Sequence, residues 1–417
     1  MILRAELIWT GRGELIRDGA IHVENGHVES IGPFDGMGVA THAAEDLGHA
    51  LLMPALIDAH THLDLSHMGR KLVRNRSFSS WLQRMARARM VTFFEGRSIR
   101  RGIDQVIAGG AAAVGDVSVS GKSAWLLWRH ELLKSVVYCE TYGLDPASAS
   151  RKAAKLRRRI EALLSRPAVR VGISPHAPYS VSPELFAKCL ELAREYGLPM
   201  AIHTAESGTE VEFLTGGSGE LRALLENYGL LPDGWKPPGM TPVQYLDSLG
   251  VLAAKPTLIH CNYVGPAEAQ LLAKAGCSAA FCPRSNAFFR RTTDSLQTLL
   301  AAGVNVALGT DSLASNETLS MLDEMVFLKR VHPELEWRTI FEMATVNGAR
   351  ALGYEQGGML AGGLPANVTA ISLPVSNGEG IEPGALNASS SVLFTMMHGE
   401  KFTSRPGVLQ EAGEVTA

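Results

Sequence analysis

The sequence is poor in cysteine and has no long apolar run. Its five cysteines, at positions 139, 189, 261, 277 and 282, are scattered without CxxC spacing. That pattern argues against a disulfide framework or a cysteine zinc site and is typical of a reducing compartment. No apolar run reaches the ~18 residues of a membrane-spanning helix, and the first residues lack the apolar core of a signal peptide. We therefore expect a cytoplasmic protein without a membrane anchor.

An excess of charge of one sign is also missing. The 39 lysines and arginines nearly balance the 42 aspartates and glutamates, and the formal net charge is −3. A nucleic-acid-binding surface normally requires a clear basic excess. We therefore expect a small-molecule partner and no nucleic acid or membrane partner.

Both ends of the chain have the texture of β structure. The first fifty residues alternate short apolar runs with turns, and Asn25-Gly26 is a strong hairpin signal. Short alternating segments return after about residue 360, in ANVTAISLP and SSSVLFTMMHGEKF. We predict that residues 1–53 and 360–417 meet as one small β-sandwich domain.

The segment between these ends, residues 54–359, has the pattern of repeated βα units. Short apolar strands alternate with amphipathic helical stretches, for example SPELFAKCLELAREYG, which opens with a helix-start signal. Eight strands are predicted, at 55–62, 111–118, 135–143, 168–175, 198–206, 256–264, 277–283 and 305–311. The units repeat at about 36 residues, which suits a barrel. The predicted fold is an α/β (β/α)8 barrel, distorted from the regular form.

Five polar side chains fall at the ends of these predicted strands. His60 and His62 are two residues apart on one strand and so share a face. His203, His260 and Asp311 end the fifth, sixth and eighth strands, and barrel strand ends converge on the face that carries active sites. The alternative, unrelated polar residues at strand ends, does not explain five such positions. With His60, His62, His203 and Asp311 as ligands, one Zn²⁺ or Fe²⁺ is predicted.

Other side chains near these strand ends are candidates for proton transfer or substrate binding. His260 would orient or deprotonate a metal-activated water, and Glu206 in HTAES would carry its proton to a substrate nitrogen. The alternative for Glu206 is a solvated loop acid. His176 in SPHAPYS is predicted to contact substrate, and Asn286 in FCPRSN is a weaker candidate. For both, a purely structural role is the alternative.

Taken together, the motifs HTHLDLSH, HAPYS, HTAES, IHCNYV, CPRSN and GTDSLASN resemble the amidohydrolase superfamily, especially its deaminases and chlorohydrolases. The resemblance covers essentially the whole chain. It implies that His60, His62, His203 and Asp311 bind one metal ion, and that Glu206 and His260 act on the water and the ring. Binuclear relatives carry a lysine at the end of the fourth strand, whereas AVRVGISP has none, which favours one metal ion. Relatives are often dimers, so a homodimer is expected.

Within that family, HTHLDLSHMGR followed by SFSSWLQRM is most similar to the aminodeoxyfutalosine deaminases of the alternative menaquinone pathway. The resemblance implies that Trp81 contacts the substrate. Relatives acting on adenosine, methylthioadenosine or S-adenosylhomocysteine carry an acidic residue shortly after the tryptophan that matches Trp81. Here that stretch holds Arg84, Arg87 and Arg89 instead. We hypothesise that one of them, with Arg87 preferred, pairs with a substrate carboxylate. A basic solvated helix face is the alternative.

Further functions stay open at the level of the sequence. The same metal site is compatible with deamination of adenosine, methylthioadenosine, S-adenosylhomocysteine or guanine, and with another leaving group, such as chloride or an amide. A non-catalytic scaffold is the other alternative, although such chains usually lose metal ligands and this one keeps the whole set.

Overall fold

The computed structural model describes most of the chain. The described residues are 1–13, 15–38, 44–69, 77–89, 95–130, 132–165, 169–291, 294–354, 356–374 and 385–403, with only the backbone described for 86–89 and 95. No helix in this part of the chain is both long and apolar enough to cross a lipid bilayer.

Strands and helices alternate through the central part of the chain. The strands are β1 (Ile2–Ile8), β2 (Ile16–Glu24), β3 (His27–Pro33), β4 (Glu45–Asp46), β5 (Ala50–Pro54), β6 (Leu56–Thr61), β7 (Ala111–Ser118), β8 (Lys134–Thr141), β9 (Arg170–Pro175), β10 (Ala201–Thr204), β11 (Thr257–His260), β12 (Ser278–Phe281), β13 (Asn305–Leu308), β14 (Val368–Ser372), β15 (Val392–Met397) and β16 (Glu400–Phe402). The α-helices are α1 (Phe78–Arg89), α2 (Glu95–Ala108), α3 (Lys122–Trp128), α4 (Ala149–Leu164), α5 (Pro183–Tyr196), α6 (Gly208–Gly216), α7 (Gly219–Asn227), α8 (Pro242–Ser248), α9 (Pro266–Ala275), α10 (Pro283–Phe288), α11 (Leu296–Ala301), α12 (Met321–Val331), α13 (Trp337–Ala344) and α14 (Val346–Leu352).

The eight central strands overlap the eight predicted ones, although several are shorter than predicted; β11, for example, spans Thr257–His260 where 256–264 was predicted. Strands β6 to β9 form one four-stranded parallel sheet, and β10 to β13 form a second. Single parallel bridges link the sheets at both edges, one between Ile173 and Met200 and one between Thr61 and Asp311. The parallel α/β prediction is confirmed, while continuous closure into one eight-stranded barrel stays a prediction.

Side chains of the parallel strands alternate between two apolar layers. The inner cluster is rich in alanine, because strand faces that meet across a narrow interior leave little room. It contains Ile57, Ala59, Ala113, Val117, Val136, Tyr138, Ala201, Ile259, Ala280 and Ala307, together with residues of α14. The opposite faces pack against the helices in a much larger cluster that includes Val114, Val137 and Leu258.

The two chain ends pair as predicted. Strand β5 runs parallel to β1 and antiparallel to β14, so all the end strands join one eight-stranded mixed sheet. Asn25 and Gly26 link β2 to β3 with φ of 50° and 78°, as a two-residue hairpin requires. The strands belong to one hydrogen-bonded sheet, and their arrangement as two packed layers stays a prediction. So do the domain limits, and residues 404–417 of the predicted segment lie outside the described residues.

Helix α5 shows how local sequence fixes an element. Ser182 Oγ accepts a hydrogen bond from the Leu185 amide at 3.2 Å, and Pro183 occupies the first helical position. Gly197 ends the helix in the left-handed conformation with φ of 64°. The predicted helix start is therefore confirmed.

Candidate metal centre and active site

The five side chains predicted at strand ends lie together at the carboxyl edge of the parallel strands. His60 lies in β6, His203 in β10 and His260 at the end of β11, while Asp311 follows β13. His62 comes directly after β6. Each of these five residues is at most 7% exposed. The structure thus brings the predicted set into one buried cluster.

Three ring nitrogens and one carboxylate oxygen face each other in this cluster. The ligand atoms of His60, His62 and His203 lie within 4.8 Å of one another. The Nε2 atoms of His62 and His203 are 3.2 Å apart, and Asp311 Oδ1 lies 3.6 Å from His60 Nε2 and 3.9 Å from His62 Nε2. Both ring nitrogens of His60 are buried without a hydrogen-bond partner among the described residues. Because an unpaired buried nitrogen is costly, the Nε2 atom of His60, which faces Asp311, fits a bound metal ion.

Hydrogen bonds to the backbone orient two of the imidazoles. His62 Nδ1 lies 3.0 Å from the Val117 carbonyl oxygen, and His203 Nδ1 lies 3.2 Å from that of His176. An Nδ1–H that donates to a carbonyl leaves the Nε2 lone pair for a metal ion. The two Nε2 atoms are the ones that face each other, so the tautomers suit metal binding.

Asp311 is held in a similar way. Its Oδ2 accepts hydrogen bonds from Ser285 Oγ at 2.6 Å and from Ser315 Oγ at 2.7 Å. These bonds leave Oδ1 directed at the histidines. Asp311 also has a φ of 57°, and His260 has a φ of 72°, so two site residues adopt a left-handed backbone that non-glycine residues rarely adopt.

The electrostatics of the cluster favour neutral imidazoles at His203 and His260 and an ionised carboxylate at Asp311. Burial lowers the pKa of His203 to about 3 and the pKa of His260 well below its ordinary value. Burial would raise the pKa of Asp311, but its interactions with His60, His260 and His62 hold that pKa well below the usual range. Three imidazole nitrogens and one carboxylate oxygen are a donor set that suits Zn²⁺ or Fe²⁺.

Glu206 lies beside this cluster and is buried, so it is not a solvated loop acid. Its Oε2 is 3.9 Å from His260 Nε2, and its Oε1 accepts a hydrogen bond from Arg291 Nη2 at 3.1 Å. Burial raises the pKa of Glu206, while the positive charge of Arg291 opposes that rise. Asn262 and Glu210 fix its backbone, through bonds to the Glu206 carbonyl and amide. The position suits a group that accepts and returns a proton.

The other predicted substrate residues lie around the same face. His176 follows β9, and its ring centroid is 5.0 Å from that of His203. Trp81 in α1 donates from Nε1 to the Ala314 carbonyl at 3.2 Å and packs against Phe289, with ring centroids 5.0 Å apart. Asn286 is buried in α10, and no described contact joins it to the histidines. The substrate-binding roles of all three stay predictions.

The three arginines of α1 are described unequally. Arg84 has buried Nε and Nη2 atoms that find no hydrogen-bond partner in the described part of the chain. The side chains of Arg87 and Arg89 lie outside the described residues. Of the three, the structure therefore describes the side chain of Arg84 alone.

Several residues of the site were not assigned a role from the sequence. Ser285 lies in the quoted CPRSN motif, yet nothing in the spacing shows that it holds Asp311. Arg291 comes after a short helix, and only the folded loop brings it to Glu206. Glu140 lies near the end of β8, so the rule that strand ends converge could have found it.

Asp58 is a further residue that the sequence did not single out. It lies two residues before His60 and accepts bonds from the Thr310 amide at 3.0 Å and hydroxyl at 2.6 Å. These bonds tie the first and last parallel strands together beside His60 and Asp311.

Comparison with known proteins assigns the chain to a family. Residues 51–401 match the amidohydrolase family over most of the chain. This chain belongs to the amidohydrolase family. The prediction made from the motifs is therefore confirmed.

Two relatives share most of the chain length. The chain is 34% identical to the aminodeoxyfutalosine deaminase of Deinococcus radiodurans over 84% of this chain and 85% of that protein. It is 29% identical to the 5-methylthioadenosine/S-adenosylhomocysteine deaminase of Nitratidesulfovibrio vulgaris over 96% of this chain and 90% of that protein.

Solved structures show the same fold. The Helicobacter pylori aminofutalosine deaminase in complex with methylthio-coformycin aligns with a TM-score of 0.82 and 20% identity, covering 96% of this chain and 99% of that one. An adenosine deaminase from Xanthomonas campestris with bound zinc aligns with a TM-score of 0.77 and 22% identity, covering 96% and 92%.

Proposed function

We propose that this amidohydrolase is a hydrolytic deaminase with one metal ion, that its substrate is an adenine nucleoside, and that aminodeoxyfutalosine is the first candidate. The observation that carries the proposal is the buried Glu206 carboxyl group, positioned by Arg291 and facing His260 beside the three histidines and Asp311. The named activities of the relatives from D. radiodurans and N. vulgaris support the same reaction and substrate class.

The residues divide the chemistry between them. His60, His62, His203 and Asp311 would hold the ion, which when bound lowers the pKa of water to about 7 and supplies hydroxide near neutral pH. Glu206 accepts the proton of the attacking water and delivers it to a ring nitrogen of the purine. His260 orients the water for attack on the amine-bearing carbon. A C–O bond forms between the water oxygen and the amine-bearing carbon. The C–N bond then breaks as the newly added hydroxyl group becomes the product carbonyl, and the proton of that hydroxyl group passes to the amino group, which leaves as ammonia.

Arg84 is our candidate for the carboxylate of aminodeoxyfutalosine. Its buried Nε and Nη2 atoms lack partners among the described residues, and it lies one helical turn from Trp81 on α1. A planar guanidinium group pairs well with a carboxylate. This assignment replaces our sequence-based preference for Arg87 as the residue to test first.

The closure of the barrel, the identity of the metal ion and the assembly are also proposed. We propose a closed (β/α)8 barrel, because bridges occur at both junctions between the parallel sheets. We propose zinc as the ion, since the donor set suits it and the X. campestris deaminase binds zinc. Ferrous iron remains the alternative metal, and a homodimer is the proposed assembly.

The test is a substrate screen with zinc-loaded and iron-loaded protein. Ammonia release and the absorbance change of adenine are followed with aminodeoxyfutalosine, methylthioadenosine, S-adenosylhomocysteine, adenosine and guanine, and chloride release with a chlorinated triazine. We expect the unmodified protein to release ammonia from adenine nucleosides, and to do so fastest from aminodeoxyfutalosine. We expect an Arg84→Met variant to lose its selectivity for the carboxylated substrate. Chloride release without ammonia release from any adenine nucleoside would contradict the proposal.

A further inference from the structure

Glu324 is a buried carboxyl group to which the chemistry described so far assigns no role. It lies in the first turn of α12 and is 0% exposed. Its oxygens accept hydrogen bonds from two separate segments, from the Arg284 amide in α10 at 3.1 Å and from Asn316 Nδ2 at 2.7 Å. Because a buried carboxyl group is costly unless its oxygens accept hydrogen bonds, these bonds hold both segments against α12.

The first of these segments carries one of the two serines that bond to Asp311. Arg284 and Ser285 are neighbours in α10, and Ser285 Oγ donates to Asp311 Oδ2 at 2.6 Å. The Arg284 side chain adds to the connection, because its Nη1 lies 3.9 Å from Glu324 Oε1 and donates to Thr318 Oγ1 at 2.7 Å. Glu324 therefore fixes the backbone one residue before Ser285.

The second segment carries the other serine. Ser315 Oγ donates to the same Asp311 oxygen at 2.7 Å. The next residue, Asn316, donates from Nδ2 both to Glu324 Oε1 and to the Thr310 carbonyl at 2.8 Å. Thr310 directly precedes Asp311 in the chain. Through Asn316, Glu324 is thus connected both to a serine that bonds to Asp311 and to the backbone that carries Asp311.

We propose that Glu324 is a positioning residue for the metal ligand Asp311, an inference that rests on the proposed metal site but not on the substrate. The two serines occupy Oδ2 of Asp311, and Oδ1 lies 3.6 Å from His60 Nε2. Glu324 bonds to the neighbour of each serine, so it determines where both hydroxyl groups lie. Groups that orient metal ligands typically contribute roughly 10- to 100-fold to metal affinity. Because Glu324 acts through one further layer of bonds, we expect a contribution of about 10-fold.

Stabilisation of the fold alone is the alternative, and Glu268 provides the matched comparison. Glu268 is also buried, and its carboxyl group also joins two segments, because it accepts bonds from Thr241 Oγ1 and from the Gly265 amide. These three residues are not part of the candidate active site. A general loosening of the fold would weaken metal binding when either glutamate is changed, whereas positioning of Asp311 predicts an effect at Glu324 alone.

The experiment compares the metal affinity of Glu324→Gln, Glu268→Gln and the unmodified full-length protein. Glutamine keeps one acceptor oxygen and replaces the other by a nitrogen that cannot accept, so each variant loses one bond. Metal-free protein is titrated with Zn²⁺ in competition with a chromophoric chelator, and with Co²⁺, whose visible absorption reports its coordination geometry. We expect about 10-fold weaker Zn²⁺ binding and an altered Co²⁺ spectrum in Glu324→Gln, with both quantities unchanged in Glu268→Gln.

The route through the serines has its own measurement. In a Ser285→Ala/Ser315→Ala background Asp311 Oδ2 has lost both hydroxyl partners. Adding Glu324→Gln there should cost little further affinity, because changes that act through the same contacts are not additive. A full further loss of about 10-fold would contradict positioning through the serines.

Different outcomes separate this inference from the proposed function. Unchanged Zn²⁺ affinity in Glu324→Gln would overturn the role of Glu324 and leave the metal site intact. Equal losses in Glu324→Gln and Glu268→Gln would also overturn it, because a merely structural role predicts that result. An unmodified protein that binds neither ion would overturn the proposed metal site as well. If Glu324→Gln does not fold, Glu324→Asp and Glu268→Asp give the same comparison, since aspartate withdraws both oxygens by one methylene group.

Discussion

At the scale of single residues, His60 shows why the cluster is difficult to explain without a ligand. Its ring is 1% exposed, and neither nitrogen has a hydrogen-bond partner among the described residues. Asp311 Oδ1 lies 3.6 Å from Nε2, which is beyond a hydrogen bond. A metal ion bound to His60 Nε2 and Asp311 Oδ1 would give both of these atoms a partner. The spacing of the two residues in the sequence could suggest this arrangement but could not show the distance.

Glu206 carries the first prediction at this scale. Glutamine keeps the shape of the side chain but cannot carry the proton, so Glu206→Gln should lower kcat by roughly 10²- to 10⁴-fold. Metal content should be unchanged, because Glu206 is not a proposed ligand. Ammonia release and metal analysis of the same preparation give the two measurements.

The control for this variant is the exposed Glu191, which forms an ion pair with Lys188 at 2.8 Å on the surface of α5. Glu191→Gln should retain full activity. A Glu206→Gln enzyme that deaminates at the unmodified rate would show that proton transfer runs through another group.

At the scale of elements, the contact between β6 and the end of β13 sets the geometry of the site. The Asp311 amide donates to the His60 carbonyl at 3.0 Å, so the aspartate strand is hydrogen-bonded to the histidine strand. Gly309 makes the close approach possible. A Cβ atom added there would lie 2.9 Å from the His60 carbonyl oxygen and 3.0 Å from its Cβ.

Gly309→Ala should therefore move His60 relative to Asp311. We expect weaker metal binding and a fall in kcat/KM of about 100-fold, since a displacement of about 1 Å at a reacting centre has that order of effect. Metal titration and ammonia release are the measurements. Gly32→Ala in β3, where an added Cβ has nothing within 4 Å, should leave both quantities unchanged. Unaltered metal affinity in Gly309→Ala would contradict this interpretation of the contact.

At the scale of the whole molecule, buried carboxyl groups link stability to pH. Burial raises the pKa of Glu324 to about 8, although Arg284 and Asn316 oppose the rise. The folded protein then holds a proton that the unfolded chain, with a glutamate pKa near 4.5, has already released. Because the folded state binds more protons between these two values, stability falls as pH rises through that window.

Glu324→Gln should remove this part of the pH dependence. We expect the difference between the Tm of the variant and the Tm of the unmodified protein to increase as pH rises from about 5 to about 8. The reason is that glutamine has no proton to lose. Thermal unfolding of metal-loaded protein at constant ionic strength is the measurement. Glu342→Gln, in the exposed pair with Arg338, should follow the unmodified curve. A constant difference in Tm between Glu324→Gln and the unmodified protein would contradict the prediction.

The sequence by itself determined the parallel strands, the pairing of the chain ends and the family. These depend on short-range signals: apolar runs, the Asn25-Gly26 turn, the Ser182 cap, and histidines at strand ends. Strand alternation and the shared edge of parallel strands then bring five side chains together at the carboxyl edge, independently of the loop conformations. These are His60, His62, His203, His260 and Asp311.

Only the tertiary structure decided which groups surround that cluster. Ser285 and Ser315 orient Asp311, Arg291 holds Glu206, and the Glu140 carboxylate has no hydrogen-bond partner among the described residues. Each of these relations depends on the path of a loop or on the distance between side chains of separate strands. No periodicity in the sequence encodes such distances, because they are set by packing among residues far apart in the chain.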